Sequence, residues 1–149
     1  MSELVIRPAR PSDWELWLPL WQGYNTFYRR VVADEVTRTT WARFFDQDEP
    51  VHAIVAEAEG RLIGLVHFLY HRSTSAIGLV CYLQDLFTAE GTRGRGVGRA
   101  LIEAVYEEAR IAGSPRVYWL THETNMQARA LYDTVAERSG FLQYRKDLT

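Results

Sequence analysis

Cysteine is almost absent from this chain. Cys81 is the single cysteine among 149 residues, so the chain can form neither an internal disulfide nor a zinc site built from several cysteines. The first residues, MSELVIRPAR, lack the charged and then apolar pattern of a secretory signal. We therefore expect a protein of a reducing compartment, the cytoplasm.

Long apolar runs and an excess of one charge are also missing. No uninterrupted apolar stretch reaches the roughly 20 residues that a membrane helix needs. The formal net charge is −2, which argues against the broad basic face of a nucleic-acid-binding domain. Internal repeats and low-complexity linkers are absent too, and the length fits one domain, residues 1–149. We expect neither a membrane nor a nucleic acid as partner.

Apolar periodicity and turn residues predict an α/β (α+β) domain. Strands are expected at residues 4–7, 51–58, 61–71, 78–88, 117–121 and 141–146, and helices after Asp13 and at 38–45, 97–112 and 126–135. Ser12 or Asp13 is expected to cap the first helix, and Pro19 predicts a kink or a later helix start. This order of elements implies a mixed sheet with helices on both faces.

The stretch TRGRGVGRALIEAVYEEA, residues 92–109, places three glycines directly before an apolar-periodic helix. A helix start leaves N–H groups unpaired and favours an anion, and glycines let a phosphate reach the backbone. Arg93 and Arg95 add charge-assisted donors. The pattern predicts a pyrophosphate-binding loop. A loop that only turns into a helix, with solvated arginines, is the alternative.

Two common phosphate-binding patterns do not fit this loop. The nucleotide P-loop requires Lys and then Ser or Thr after its last glycine, whereas Arg99 and Ala100 follow Gly98. The dinucleotide pattern G-x-G-x-x-G also fails, because its third glycine would fall on Arg99. An RNA-binding RG segment is a weak third alternative, since a single RGRG is not a run.

RGRGVG, residues 93–98, is similar to the R/Q-x-x-G-x-G/A signature of the GNAT acetyltransferase superfamily, whose loop amides hold the pyrophosphate of acetyl-coenzyme A. IRPARPSDW resembles the first strand and helix start of that family, YLQDLFT its fourth strand, and NMQARALY the N-x-x-A-x-x-x-Y element of its last helix. YLQDLF and VYWLTHETN are most similar to the branch of diamine and Hpa-type histone and polyamine acetyltransferases. The resemblance covers nearly the whole chain and implies a mixed, mostly antiparallel central sheet flanked by helices on both faces.

The resemblance implies an enzyme that moves an acetyl group from acetyl-CoA, its co-substrate, to a primary amine without a metal. The acceptor would be a polyamine, another small amine or the lysine side chain of a peptide. An acyl-CoA-binding module or sensor with little turnover is the alternative. The residues that the resemblance assigns to the coenzyme are Leu86, Phe87, Thr88, Arg93, Gly94, Arg95, Gly96, Val97, Gly98, Arg99, Asn125 and Ala128.

The same resemblance implies that Tyr132 protonates the leaving thiolate; a tyrosine that only packs on the sheet is the alternative. Diamine acetyltransferases carry L-E-D where this chain has Leu83, Gln84 and Asp85, and Gln84 cannot act as a base. Asp85 is a candidate base or water-orienting group. Strand alternation points it to the face opposite Gln84, which leaves a structural role open.

Four residues are candidates for the acceptor site: Tyr24, Tyr28, Gln84 and Glu123. Tyr24 and Tyr28 lie at the polar edge of an aromatic stripe that otherwise suits packing, and aromatic faces attract cations. With the acidic residues that follow, such as Asp34, this groove would favour a polyamine or a lysine-rich tail, although solvated loops explain those acids equally simply. The last strand is expected to pair across a homodimer, as in the relatives.

Overall fold

The computed structural model of the protein describes residues 3–92 and 94–149. Its strands and helices follow in chain order as β1 (Val5–Pro8), α1 (Trp14–Phe27), α2 (Asp34–Phe44), β2 (Val51–Ala58), β3 (Arg61–His71), β4 (Val80–Thr88), α3 (Val97–Ile111), β5 (Val117–Tyr118) and α4 (Met126–Val135). A short 3-10 turn, Pro11–Asp13, precedes α1. This succession confirms the predicted order of elements up to α4.

The five strands form one sheet in the order β1-β2-β3-β4-β5. Every neighbouring pair is antiparallel except β4 and β5, which are parallel. The β2–β3 pair is a hairpin closed by the predicted turn at Glu59 and Gly60, both with positive φ. The prediction of a mixed, mostly antiparallel sheet is confirmed.

Helices cover both faces of the sheet, as predicted. On one face α1 and α2 pack against Val55 and Leu65. On the other face α3 packs Leu101, Ile102 and Val105 against β2, β3 and β4, and each of these three side chains is fully buried. Burying one such side chain contributes about 1.5–3 kcal/mol. The two apolar layers therefore hold the central strands rigidly from both sides.

The aromatic stripe of α1 forms the core of the first layer. Trp17 is fully buried, its ring centroid lying 4.6 Å from that of Trp41 on α2 and 5.8 Å from that of Trp21. Trp14 also packs on Trp41, at 5.8 Å. The packing role predicted for the stripe is what the structure shows, and we refer to Trp14, Trp17, Trp21 and Trp41 as the tryptophan cluster.

The start of α1 differs from the expectation. The carboxylate of Asp13 does not cap the helix; it accepts two hydrogen bonds from the Arg7 guanidinium, at 2.8 and 2.9 Å, and one from the Arg10 N–H. A bidentate, charge-assisted pair is stronger than a hydrogen bond from a neutral backbone N–H, so the Asp13 carboxylate binds Arg7 instead of capping the helix. Arg7 lowers the pKa of Asp13 through these bonds. A later helix start at Pro19 is also wrong, because α1 begins at Trp14 and contains Pro19.

The strand expected at residues 141–146 is wrong, since the described chain has neither helix nor strand after Val135. The side chains of Phe141 and Tyr144 are almost fully exposed, at 90% and 94%. Alternating apolar side chains suit a sheet, but a strand also needs a partner for its backbone N–H and C=O groups. Within this one chain that segment has none. We call residues 136–149 the C-terminal tail.

Candidate active site

The approach to α3 is built from backbone that glycine adopts easily. Gly94 and Gly96 have φ values of 82° and 72°, and Gly96 is the N-cap residue of α3. A Cβ on either would meet no described atom within 4 Å, so open space lies in front of the helix. Ala100 N–H donates to the Gly96 carbonyl, which leaves the N–H groups of residues 97–99 without an intrahelical acceptor.

These N–H groups suit an anion. As far as the described residues go, no side chain caps α3 and no acidic residue lies in its first turn. The positive end of the helix dipole and the amides therefore favour a group such as a pyrophosphate. Arg99 donates to Thr134 Oγ1 on α4, at 2.7 Å. Arg93, also predicted to bind the coenzyme, lies outside the described residues.

The strands β4 and β5 pair over two residues and then separate. Cys81 pairs with Val117 and Tyr82 with Tyr118, whereas β4 continues to Thr88 in register with β3. In the part of the chain that the structure describes, the backbone of residues 86–88 thus pairs with β3 on one side alone. The coenzyme contacts predicted for Leu86, Phe87 and Thr88 fall on this open strand edge.

A bulge lies where β4 separates from β5. On β3, His67 pairs with Asp85 and Phe68 with Leu83, so Gln84 is the extra residue between them. Gln84 is exposed, and the bulge places Asp85 on the α1 face of the sheet beside His67. A bulged residue has backbone groups that the neighbouring strand does not use.

Tyr132 lies on α4 beside the residue that follows β5. Its ring packs edge-on against Trp119, which directly follows β5, at a centroid distance of 5.4 Å. Its neighbour Leu131 contacts the start of α3, since a Cβ on Gly98 would lie 3.2 Å from Leu131 Cδ2. Burial, with a smaller effect of nearby Tyr28, raises the pKa of Tyr132 to about 12. The phenol is therefore a protonated donor at neutral pH.

Asp85 belongs to a buried hydrogen-bonded chain. Trp17 Nε1 donates to His67 Nε2 at 3.1 Å, and His67 Nδ1 lies 3.0 Å from Asp85 Oδ2. Because an indole N–H can only donate, His67 accepts at Nε2 and donates from Nδ1 to the carboxylate. This arrangement fixes the orientation of Asp85, whose side chain is 8% exposed. Both a structural and a water-orienting role are compatible with this geometry.

Two tyrosines and an arginine continue from Asp85 toward Tyr132. The rings of Tyr24 and Tyr28 are 4.9 Å apart, and Tyr28 is the residue that acts on the pKa of Tyr132. Burial and the neighbouring Asp85 carboxylate raise the pKa of Tyr24. The Arg30 guanidinium lies 5.1 Å from the centroid of the Tyr24 ring and 3.8 Å from Asp85 Oδ1. The structure thus brings together the predicted Tyr24, Tyr28 and Asp85, and Tyr28 is near enough to Tyr132 to raise its pKa slightly.

Other predicted residues have different surroundings. Asn125 is the N-cap of α4, and its Oδ1 accepts a hydrogen bond from the Ala128 N–H at 3.4 Å. This hydrogen bond is compatible with a coenzyme contact by either residue. Glu123 is exposed, and among the described residues no contact joins its carboxylate to Asp85 or Tyr132. Cys81 is fully buried in the α3 layer, as expected of a core residue.

Sequence reasoning missed His67 and Arg30. A signal for His67 was present, because a single histidine inside the apolar strand RLIGLVHFLY must have a hydrogen-bond partner when buried. Arg30 gave no such signal, since an arginine shortly after the last turn of a helix is ordinarily solvated. Its position depends on tertiary contacts with α1 and β4.

The described residues contain no helix with the length and apolar character to cross a membrane. Nor do they contain a group of three or more histidine, cysteine or acidic side chains arranged for a metal ion.

The chain is similar in sequence and in fold to known proteins. The sequence model of the Acetyltransferase (GNAT) family matches residues 14–136. The D-amino-acid N-acetyltransferase HPA3 of Saccharomyces cerevisiae is 37% identical over 148 residues, 98% of this chain and 92% of that protein. The thialysine N-epsilon-acetyltransferase of Mus musculus is 27% identical over 97% of this chain and 93% of its own.

A solved structure of similar fold is AAC(6')-Iy in complex with the bisubstrate analogue CoA-S-monomethyl-acetylneamine. It has a TM-score of 0.85 at 18% identity, over 99% of this chain and all of that one.

Proposed function

Because the chain belongs to the acetyltransferase (GNAT) family and is an acetyl-CoA-dependent N-acetyltransferase, we propose that it acetylates a primary amine by direct attack on the thioester, with Tyr132 protonating the leaving thiolate. The family confirms the resemblance predicted from the sequence, including its Hpa-type branch. The observation that carries the proposal is one juxtaposition: Tyr132 packs on Trp119, directly after the short strand β5 that leaves part of β4 unpaired, and its neighbour Leu131 contacts the uncapped start of α3.

The coenzyme would lie across these two features. The N–H groups of residues 97–99 would hold the pyrophosphate, with Gly94 and Gly96 leaving space for it and arginines 93, 95 and 99 adding positive charge. The backbone of residues 86–88 would flank the pantetheine along the open edge of β4. Asn125 and Ala128, at the start of α4, would contact the coenzyme arm. Acetyl-CoA supplies the activated acetyl group, and no metal takes part in this proposal.

The attacking amine must first lose a proton. An alkyl ammonium has a pKa of about 10.4, so about 0.1% is neutral at pH 7.4, a cost of about 4 kcal/mol. Asp85 is the carboxylate that the site offers for this step, either directly or through an ordered water. His67 holds one of its oxygens, which leaves the other directed toward Tyr24 and Arg30. The acceptor would lie against Tyr24, Tyr28, Gln84 and Glu123, and would be a small amine, a polyamine or a lysine side chain.

The leaving sulfur must gain a proton as the C–S bond breaks. A phenol of pKa about 12 and an alkanethiol of pKa about 8.5 differ by about 3.5 pH units, or about 5 kcal/mol. Complete transfer from Tyr132 therefore has to be coupled to another proton movement. The attacking nitrogen carries a positive charge in the tetrahedral intermediate, and the proton that it releases would restore the phenol. Protons then balance without net change at Tyr132.

Thiol release from acetyl-CoA in the presence of a panel of polyamines, amino acids, aminoglycosides and lysine peptides tests the proposal. Amine-dependent release is expected. Coenzyme binding without amine-dependent release would instead support an acyl-CoA-binding module. The assay also identifies the class of acceptor, because each amine is measured against the same coenzyme.

The coenzyme site has a matched pair of variants. Gly96 and Gly113 lie at opposite ends of α3, with φ values of 72° and 76° and no described atom within 4 Å of an added Cβ. Gly96→Val and Gly113→Val therefore carry similar backbone strain. Only Gly96→Val is expected to weaken acetyl-CoA binding, measured by calorimetry or by the shift of the melting temperature. Equal affinities of the two variants would contradict the proposed pyrophosphate site.

We also propose that residues 1–149 act as one cytoplasmic domain and that two copies form a homodimer. The C-terminal tail carries exposed Phe141, Leu142 and Tyr144, and β5 is the last strand of the sheet. Pairing of the tail with the sheet edge of a second copy would bury these side chains. A monomer in light scattering at micromolar concentration would contradict the dimer.

A further inference from the structure

The ring of His67, on β3, is buried beneath α1 and α2, at 3% exposure. Its centroid lies 4.7 Å from that of Phe44 and 5.3 Å from that of Trp21. Trp17 Nε1 lies 3.1 Å from its Nε2, and Asp85 Oδ2 lies 3.0 Å from its Nδ1. The aromatic packing restricts rotation of the ring, and each ring nitrogen has a hydrogen-bond partner.

The indole of Trp17 decides which nitrogen of His67 carries the proton. An indole N–H can donate but cannot accept, so His67 Nε2 is the acceptor and Nδ1 carries the hydrogen. A second proton on Nε2 would set two N–H groups against each other at a place where Trp17 is fully buried, and a buried donor without an acceptor is costly. Trp17 therefore favours the neutral ring that donates to Asp85.

The Asp85 carboxylate is held by one oxygen and has the other on the side of the proposed acceptor site. His67 Nδ1 donates to Oδ2, whereas Oδ1 lies 3.8 Å from Arg30 Nη2, a gap longer than a hydrogen bond. Tyr24 on α1 and Tyr82 on β4 are also close enough for the charge of Asp85 to act on them. Burial, with that charge, raises the pKa of both phenols, so both are neutral at pH 7. His67 thus sets the direction of the carboxylate.

We infer that Trp17 and His67 are positioning residues for the amine-deprotonation step: Trp17 fixes the tautomer of His67, and His67 orients Asp85 and stabilises its ionised form. This inference rests on the proposed role of Asp85 as base. Asp85 takes one proton from the ammonium group, directly or through a water, and no bond to hydrogen breaks at His67. Because Trp17 cannot accept a proton, the chain ends there, and the proton returns to solvent from the Oδ1 side of Asp85.

The experiment is a double-mutant cycle on kcat. His67→Leu, Asp85→Asn and the double variant are compared with wild type by thiol release at saturating acetyl-CoA, with the amine that gives the fastest release in the panel. Leucine is close to histidine in volume but neither donates nor accepts a hydrogen bond. Loss of a hydrogen bond to a charged group predicts a fall in kcat of about 10- to 100-fold for His67→Leu. In the Asp85→Asn background the same change should lower kcat by less than about threefold, because no carboxylate remains to be positioned.

Two further variants separate positioning from packing. His67→Gln has an amide oxygen for Trp17 and an N–H for Asp85, so it should recover most of the kcat lost in His67→Leu. His52→Leu is the matched control, since His52 packs on Phe68 at 5.3 Å on the opposite face of the sheet, and it should leave kcat within about twofold of wild type. Melting temperature and acetyl-CoA affinity show whether each variant is folded and binds coenzyme. If His67→Leu does not fold, Trp17→Phe takes its place in the cycle.

Several results would overturn the inference. An unchanged kcat in folded His67→Leu, or an equal fall in both backgrounds, shows that His67 does not act through Asp85. A fall in His67→Gln as large as in His67→Leu excludes the hydrogen bonds as its cause. Wild-type kcat in Asp85→Asn removes the base and this inference, while the proposed acetyl transfer stands. Coenzyme binding without thiol release for any amine overturns the proposed function as well.

Discussion

The role of Tyr132 can be tested by removing a single oxygen atom. Tyr132→Phe keeps the ring that packs edge-on against Trp119 at 5.4 Å, so the contacts of α4 with β5 and α3 remain. Coenzyme binding should change little, because the residues proposed to hold the pyrophosphate lie at the start of α3. The variant loses only the hydroxyl that is proposed to serve the leaving sulfur.

The expected loss appears in kcat. Proton transfer by a positioned side chain contributes about 10²- to 10⁴-fold. We expect the lower end, about 100-fold or 2.7 kcal/mol, because the transfer from a phenol of pKa about 12 is uphill and water can replace part of it. The same pKa predicts that Tyr132 stays protonated to pH 10, so it causes no alkaline loss of wild-type kcat between pH 8 and 10.

Tyr106→Phe provides the control on the same side of the sheet. The Tyr106 hydroxyl donates to the Val135 carbonyl at 2.8 Å, linking α3 to the end of α4. Its loss should lower the free energy of unfolding by about 1 kcal/mol and leave kcat unchanged. Thiol release at saturating acetyl-CoA and urea unfolding measure the two quantities. A kcat of Tyr132→Phe within twofold of wild type would refute the donor role.

Two further predictions concern buried groups. Arg7 lowers the pKa of Asp13 below its ordinary value of 3.8, so the contribution of this carboxylate to stability is present above about pH 4 and is lost as the pH falls through the lower, folded-state value. Asp13→Asn should therefore lower the free energy of unfolding by about 2–3 kcal/mol at pH 7. The difference in this free energy between variant and wild type, measured by urea unfolding, should be smaller at pH 3. A difference that is the same at both pH values would contradict the prediction. Burial raises the pKa of the fully buried Cys81 to about 12, so a chromogenic disulfide reagent at pH 8 should not modify it within minutes unless denaturant is present, and rapid reaction of the native protein would contradict the burial.

The regular elements were predictable wherever side-chain periodicity and turn residues agreed. The helix α3 combines a glycine-rich start with an apolar stripe through Leu101 and Val105, and its observed beginning at Val97 is the predicted one. The strands β2 and β3 were predicted with their observed bounds, because the turn at Glu59 and Gly60 separates two apolar runs. Local chemistry was sufficient in these segments.

Predictions failed where a distant partner decides the structure. Asp13 has the side chain of a helix cap, but Arg7 is near it in space and binds the carboxylate instead. Residues 141–146 include the strand-favouring Phe141 and Tyr144 but have no neighbouring strand in the same chain. In both cases the local preference was identified correctly. A tertiary contact overrode it for Asp13, and the lack of one left residues 141–146 without a strand.

The candidate site was predictable only in part for the same reason. The glycines before α3 and Tyr132 belong to short motifs that a sequence displays directly. The hydrogen-bonded chain through His67 depends on pairing between β3 and β4, which a bulge at Gln84 shifts by one residue. Arg30 depends on a bend after α1 that brings it back over Tyr24.

The tryptophan cluster gives this protein a built-in optical signal. Four of the five indoles belong to residues of α1 and α2. One of them, Trp21, has its ring centroid 5.5 Å from the Arg30 guanidinium. The fifth, Trp119, directly follows β5 and packs against Tyr132, away from the tryptophan cluster. Intrinsic fluorescence of the unlabelled protein therefore comes from two separate groups of indoles, one near each proposed ligand. Replacing Trp119 with phenylalanine would leave emission that responds mainly to the acceptor.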